Sequence, residues 1–166
     1  NTAYLSGSVD IVDSTAMYTA TMNSYPSGSG SWSEAFAPCA TPCKRAIPAG
    51  FTVTLDQDIS LDGDFEIEPG GTFIANGKTV TLTGDQAQTL TGNPLTFYNL
   101  VINKTNKSDT VTIDGKLKVS KKLAVKRGRL ISASDYEDVE IDESGAMALT
   151  SEITIGGDLI ITGTLE

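Results

Sequence analysis

The chain between Phe51 and Gly84 alternates hydrophobic and polar residues in very short runs. Pairs of apolar residues each enclose one polar residue: Val53 and Leu55, Ile59 and Leu61, Phe65 and Ile67, Val80 and Leu82. This period of two predicts strands that bury one face. Turn-forming residues separate the pairs, and glycines recur at positions 63, 70, 77 and 84. Because such short strands do not form stable hairpins alone, the regular spacing predicts a chain that winds into stacked coils.

Similar apolar pairs continue from Leu90 to Leu165. Three such segments make a coil of about twenty residues, which lies within the repeat lengths of solenoids. FTVTLD at 51–56 recurs as KTVTLT at 78–83, in agreement with such a repeat. The pattern therefore predicts an all-β fold in which residues 51–166 form a parallel β-helix of roughly five coils with inward apolar ladders. An antiparallel β-sandwich is the alternative, although its strands are usually longer.

Two segments precede the predicted β-helix. Residues 1–22 have apolar residues at strand spacing, and this N-terminal strand either lies along its own domain or is donated to a neighbouring subunit. Residues 23–50 are interpreted as a Gly/Ser linker and a cap over the first coil. Cys39 and Cys43 in the cap predict a disulfide, with two free thiols as the alternative, and a disulfide indicates an oxidising compartment. Trp32 is expected to close one end of the core rather than to bind a sugar.

Four motifs between Trp32 and Thr105 carry a resemblance to a known group: IPAGFTVTLD, PGGTF, NGKTVTLTG and QTLTGNPLTFYNLVINKT. They resemble parallel β-helix modules of large secreted bacterial cell-surface proteins. The resemblance implies a right-handed parallel β-helix, an extracellular, cell-surface location and an adhesive or structural role. It carries over no catalytic residue, because none is fixed in that element.

Composition limits the classes of function. The net charge of −9 disfavours nucleic acid as a partner, and the absence of an apolar run of about eighteen residues gives no transmembrane segment. The chain has no histidine, which excludes Ser-His-Asp and Cys-His catalysis and any His-ligated metal. We therefore expect no enzymatic activity, with a polysaccharide-acting β-helix enzyme as the minor alternative. The chain begins at Asn1 rather than Met, as expected of a processed or trimmed product.

Two sets of polar residues are candidates for metal binding or modification. Carboxylates at a turn can bind calcium, and four aspartates lie close together: Asp56, Asp58, Asp62 and Asp64. Their spacing is neither that of the EF-hand loop nor that of the GGxGxD calcium repeat, so a solvated face is the favoured interpretation and no other cofactor is expected. Asn103 and Asn106 each begin an N-glycosylation sequon in a polar loop.

Basic and acidic residues concentrate in successive predicted coils. Nine of the twelve lysines and arginines lie between Lys104 and Arg129, and the acidic residues that follow lie between Asp135 and Glu143. Adjacent rungs of a solenoid are about 4.8 Å apart, so we expect cross-rung ion pairs, with Lys118 near Asp138 or Glu140. Charge matching between neighbouring subunits is an alternative interpretation, and nucleic-acid binding is another.

The last segment, GGDLIITGTLE (156–166), keeps the strand pattern to its final residues, so we expect an open last rung. Either the sequence is cut from a longer solenoid or another subunit covers this rung. The opening YLSGSVDIV (4–12) resembles a continuation of LIITGTLE, and copies joined head to tail would form an open filament. The subunit-contact candidates are Tyr4, Leu5, Val9, Ile11, Tyr18, Leu159, Ile161 and Leu165.

These patterns lead to two hypotheses of function. The first is a secreted structural subunit that self-assembles into an extracellular filament, sheath or surface layer through β-edge stacking or strand donation. The second is a glycan-binding adhesin module of a larger surface protein, with cell-surface glycans as the partner. A row of exposed aromatic residues would favour the second hypothesis, whereas Trp32, Tyr98 and Tyr136 are scattered along the chain.

Overall fold

The computed structural model describes residues 22–39, 42–132 and 134–166. These residues form one short helix, α1 (Trp32–Ala35), and a series of strands. The strands are β1 (Met22–Ser24), β2 (Gly30–Ser31), β3 (Cys43–Ile47), β4 (Thr52–Thr54), β5 (Ile59–Leu61), β6 (Phe65–Ile67), β7 (Thr72–Ile74), β8 (Thr79–Leu82), β9 (Gln88–Asn103), β10 (Thr110–Ser132), β11 (Tyr136–Leu149), β12 (Leu159–Ile161) and β13 (Thr164–Leu165).

Strands pair in parallel between successive coils of one winding chain. The coil of β3, β4 and β5 lies beside the coil of β6, β7 and β8. The long strand β9 then forms a whole coil by itself. Its Leu90 pairs with Phe65 of β6, and its Leu100 pairs with Val80 of β8. The fold is an all-β parallel solenoid of about seven turns, which confirms the predicted fold class.

The number of coils differs from the roughly five expected. Residues 22–47 already take part in the winding, since β1 pairs with β3 and β2 pairs with β4. The coil that joins β10 to β11 is also short, because register shifts bring Val119 opposite Tyr136. The winding therefore begins before Phe51, and one of its later coils is shorter than twenty residues.

Two continuous apolar ladders run through the core. Along each ladder, paired residues from successive coils stack one rung apart. The first ladder consists of Ile59, Val80, Leu100, Leu123, Val139 and Leu159, and the second of Leu61, Leu82, Ile102, Val125, Ile141 and Ile161. Members from Val80 to Ile141 are at most 2% exposed, so these middle rungs are fully packed.

An aromatic cluster and a disulfide close the N-terminal end of the described core. Trp32 is 7% exposed, and its ring centroid lies 4.5 Å from that of Phe36 and 6.2 Å from that of Phe65. Cys39 and Cys43 are joined by the predicted disulfide. The Arg45 guanidinium lies over the Phe36 ring and donates a hydrogen bond to the Ala37 carbonyl at 2.9 Å. Trp32 therefore anchors the end of the core, as expected.

We predict that stability depends on the inward ladders far more than on their outward neighbours. Leu100→Ala leaves a cavity among packed coils and should lower the free energy of unfolding by about 2–5 kcal/mol. The matched control is Val101→Ala on the outward face next to it, which should cost less than about 1 kcal/mol. Urea denaturation followed by circular dichroism measures both, and equal losses for the two variants would contradict the assignment of faces.

Candidate functional site

The last described coil ends in an exposed apolar surface, which we call the open coil (residues 156–166). Leu159 is 46% exposed and Ile161 is 40% exposed, whereas their ladder partners Val139 and Ile141 are at most 2% exposed. Leu165 is 41% exposed above the fully buried Met147. The open coil therefore presents the same apolar columns that fill the core, without a following rung among the described residues.

The backbone of the open coil is paired on one side. Among the described strands, β12 and β13 pair only with β11. The other edge of β12 carries the amide and carbonyl groups with which a parallel ladder extends. This is where the structure places three of the subunit-contact candidates, Leu159, Ile161 and Leu165. The other five, Tyr4, Leu5, Val9, Ile11 and Tyr18, lie outside the described residues.

The aspartate cluster holds neighbouring coils together. The Asp58 carboxylate accepts the backbone N–H of Thr79 at 2.8 Å, and the Asp64 carboxylate accepts that of Thr89 at 2.8 Å. Asp56 and Asp62 face the preceding coil, where they accept the N–H groups of Ser33 and Cys43. Residues far apart in sequence are thus joined by hydrogen bonds to charged acceptors.

The same arrangement recurs in the later coils. The Asp135 carboxylate accepts the Thr154 N–H at 2.6 Å, and the Asp138 carboxylate accepts the Asp158 N–H at 3.1 Å. Each of these aspartates directly precedes an inward strand residue, as Asp138 precedes Val139. The sequence signal was therefore an Asp immediately before an apolar strand position, a feature that the calcium interpretation passed over. We call such a carboxylate a coil clasp.

The described part of the chain contains no arranged calcium site. Within residues 22–39, 42–132 and 134–166, no three or more Cys, Asp or Glu side chains are grouped so as to hold a metal ion. The four aspartates instead reach separate N–H groups on two different coils. Their geometry supports cohesion between coils.

Cross-rung ion pairs occur, but they involve Lys121 and Lys122 rather than the expected Lys118. Lys122 lies 2.5 Å from Glu140, and Lys121 lies 3.8 Å from Asp138. The hydrogen bond from Lys122 lowers the pKa of the Glu140 carboxyl. The expectation for Lys118 was wrong, because the short coil brings Lys122 rather than Lys118 opposite Asp138. Both pairs lie at the surface with partly exposed side chains, so each contributes little to stability.

Lys104 is buried, although its sequence neighbours suggested an exposed loop. The side chain is 2% exposed, and its ammonium donates to the Gln88 carboxamide oxygen at 2.7 Å and to the Thr83 carbonyl. Gln88 in turn donates to the Leu61 and Gly63 carbonyls at 3.1 and 2.8 Å. Burial lowers the pKa of Lys104. These hydrogen bonds supply buried donors to the backbone carbonyl groups of Leu61, Gly63 and Thr83.

The sequons lie on the surface. Asn106 is exposed and donates through its amide to the Asp109 carboxylate at 3.1 Å. Asn103 is also exposed and lines an open polar groove of about 360 Å³ together with Lys126, Arg127 and Asp142. Glycosylation of either asparagine stays a prediction.

Comparison with protein-family models, with curated proteins and with solved structures finds no match to this chain. No helix in the described ranges is long and apolar enough to cross a membrane.

We predict that the Asp64 coil clasp stabilises the fold. Asp64→Ala leaves the Thr89 N–H without its carboxylate acceptor and should lower the free energy of unfolding by about 1–2 kcal/mol. Asp64→Asn keeps an acceptor oxygen and should recover at least half of the loss. Chemical denaturation in the presence of EDTA measures the change without bound metal. The control is Asp114→Ala, an exposed position, and an equal loss in that variant would show that the effect comes only from removing negative charge.

We predict that Lys104 makes stability depend on alkaline pH. Its folded-state pKa is lowered, so the folded state disfavours the charged amine, and stability rises as pH climbs from the lowered pKa towards the unfolded value of about 10.4. Lys104→Met removes this titration. Between pH 7 and 10, the free energy of unfolding of wild type should therefore rise relative to that of Lys104→Met as pH increases.

Subtracting the unfolding free energy of Lys104→Met from that of wild type cancels the titration of other groups. One such group is Lys44, whose pKa is raised by its hydrogen bond to Glu66. Lys107→Met is the exposed control and should follow wild type. A constant difference between wild type and Lys104→Met across this pH range would contradict the burial of a charged amine.

Proposed function

We propose that this protein is a secreted structural subunit that self-assembles into an extracellular filament, sheath or surface layer. The observation that carries the proposal is the open coil, where Leu159, Ile161 and Leu165 expose the ends of apolar columns that are buried in every middle rung. A second copy that covers these columns extends the core and pairs the free edge of β12.

The two ends of the described solenoid support a head-to-tail arrangement. Trp32 and Phe36 pack over the aromatic cluster at one end, whereas apolar side chains are exposed at the other. Because the ends differ, contact between them is heterologous, and such contacts propagate into open filaments unless they close into a ring.

Magnitudes favour addition of a whole coil over a simple face-to-face contact. Completing the burial of the exposed halves of Leu159, Ile161 and Leu165 contributes on the order of 3 kcal/mol in total. Association costs about 4–15 kcal/mol in lost translational and rotational freedom, so these side chains alone cannot hold two copies together. A donated segment adds a ladder of backbone hydrogen bonds and its own apolar side chains. Strand donation by residues 1–22 therefore supports the proposal better than bare stacking of edges.

The location outside the cell is supported by the Cys39–Cys43 disulfide, since disulfides persist in oxidising compartments. The adhesin alternative gains no support from Trp32, Tyr98 and Tyr136, which form no exposed row. Tyr98 is 39% exposed, but Trp32 and Tyr136 are buried in the core and cannot form a sugar-binding row with it.

We predict that charge on the open coil prevents assembly. The double variant Leu159→Lys/Ile161→Lys places two ammonium groups on the apolar columns and should leave the protein monomeric, because their burial would be strongly unfavourable. Sedimentation velocity and negative-stain electron microscopy at micromolar to millimolar concentration measure the outcome, and wild type should form regular filaments or sheets.

The matched control is Ile74→Lys. Ile74 is 43% exposed but lies on the lateral surface in β7, so its replacement should leave assembly intact. A monomeric wild-type protein over the whole concentration range would overturn the proposal, as would polymers that persist unchanged in the double variant.

A further inference from the structure

We propose that a groove at one corner of the solenoid binds a linear aliphatic diamine in its doubly protonated form. The groove crosses three successive coils, from the turn that follows β6, past the corner of β9, to the corner of β10, and its volume is about 620 Å³. It lies in the middle of the solenoid, away from the open coil. The binding site is therefore independent of the proposed function.

The groove forms because the corner shortens from coil to coil. Between matching rungs, the corner takes up residues 65–73 in the first of these coils, 90–97 in the second and 113–119 in the third. Each coil thus turns with one residue fewer than the coil before it. The wide turn at 69–71 stands beside two narrower turns, and the space between them is the groove.

Apolar side chains form the floor of the groove. Ile67 and Phe73 are each 9% exposed, and Pro94 is exposed beside them. Gly92 and Gly115 also line the groove, where they contribute backbone but no side chain to fill the space. An apolar floor of this kind packs against a methylene chain, as protein surfaces pack against the stems of lysine side chains.

Carboxylates line the two ends of the groove. Glu66 and Glu68 lie at the end nearest β6, and Asp114 lies at the end formed by β10. Glu66 and Asp114 both pair with Thr91 of β9, so they stand two rungs apart, which is about 10 Å. No lysine or arginine lines the groove in the described part of the chain. The charges therefore favour a ligand with a cationic group at each end.

The three carboxylates are spread along the groove and do not converge on one point. A calcium ion needs six to eight oxygen ligands within about 2.6 Å. In the ranges that the structure describes, no three acidic side chains are grouped closely enough to hold a metal ion. Separated carboxylates instead match separated charges, which a diamine carries and a metal ion does not.

Two of the carboxylates are available to a ligand. Glu66 already lies 2.6 Å from the Lys44 ammonium. The ion pairs formed among the described residues include neither Glu68 nor Asp114. One ammonium group of the diamine therefore binds Glu68 and the other binds Asp114, each through charge-assisted hydrogen bonds, while the methylene chain covers the apolar floor.

The surroundings favour a diamine over a peptide or a sugar. A peptide that adds to a sheet needs a free strand edge, but at this corner Thr91 of β9 is paired on both sides, with Glu66 and with Asp114. The aromatic ring in the groove, Phe73, is almost wholly buried and offers no open face to a sugar.

Isothermal titration calorimetry at pH 7 and low ionic strength tests the proposal with 1,8-diaminooctane as the probe. Its two amines are protonated at this pH, as a lysine side chain is, and they lie about 10–11 Å apart in the extended molecule. Octylamine has the same chain with one charge, and 1,3-diaminopropane has both charges on a chain too short to reach both ends. We expect the long diamine to bind about ten times more tightly than either.

Isosteric variants locate the site. Glu68→Gln and Asp114→Asn should each weaken binding of 1,8-diaminooctane about fivefold, as expected for the loss of one exposed ion pair. Glu143→Gln removes an exposed carboxylate outside the groove and should leave binding unchanged. Lys118 is exposed one rung beyond Thr96 at the edge of the groove, so Lys118→Gln removes a repulsive charge and should strengthen binding about twofold.

Three results would overturn the proposal. The first is no heat of binding from the long diamine at millimolar concentration, and the second is equal binding of octylamine. The third is unchanged affinity in both Glu68→Gln and Asp114→Asn. Trilysine that binds more tightly than 1,8-diaminooctane would replace the diamine with a basic peptide as the occupant. Because these measurements use protein below the concentration at which it assembles, each result leaves the proposed function standing.

Discussion

The fold depends on in-register parallel stacking, in which each coil supplies both the apolar surface and the hydrogen-bond partners of the next. A single coil of about twenty residues buries its inward side chains only when a neighbour lies on each side. Leu82 and Ile102 are fully buried because rungs lie above and below them, whereas Ile161 in the same column is 40% exposed. The exposed end is thus a direct consequence of the interaction that stabilises the middle.

The polar residues with structural roles serve that stacking. Carboxylates before inward strand residues bind the N–H groups of the adjacent coil, as Asp64 does for Thr89. The buried side chains of Lys104 and Gln88 donate hydrogen bonds to backbone carbonyl groups of the preceding coils. These hydrogen bonds join adjacent coils in the register that the apolar columns share, while burial of the columns supplies most of the stabilising free energy.

The sequence was sufficient to predict the solenoid because burial on one face imposes a period of two that is visible without alignment. It predicted the disulfide and the buried Trp32 correctly. It did not predict the number of coils, because irregular spacing before Phe51 concealed the first coil and register shifts shortened the one between β10 and β11. The clasps and buried Lys104 were missed for another reason. Their partners lie 16 to 25 residues away, so their role follows only from the three-dimensional register.

Hydrogen exchange measured by mass spectrometry tests the central claim, that the open coil is completed by another copy. The amides of residues 156–166 should exchange rapidly in dilute protein and become protected as concentration rises. Amides in the middle rungs, such as those of residues 99–102, should stay protected throughout. Protection of residues 156–166 that does not change with concentration would contradict the account.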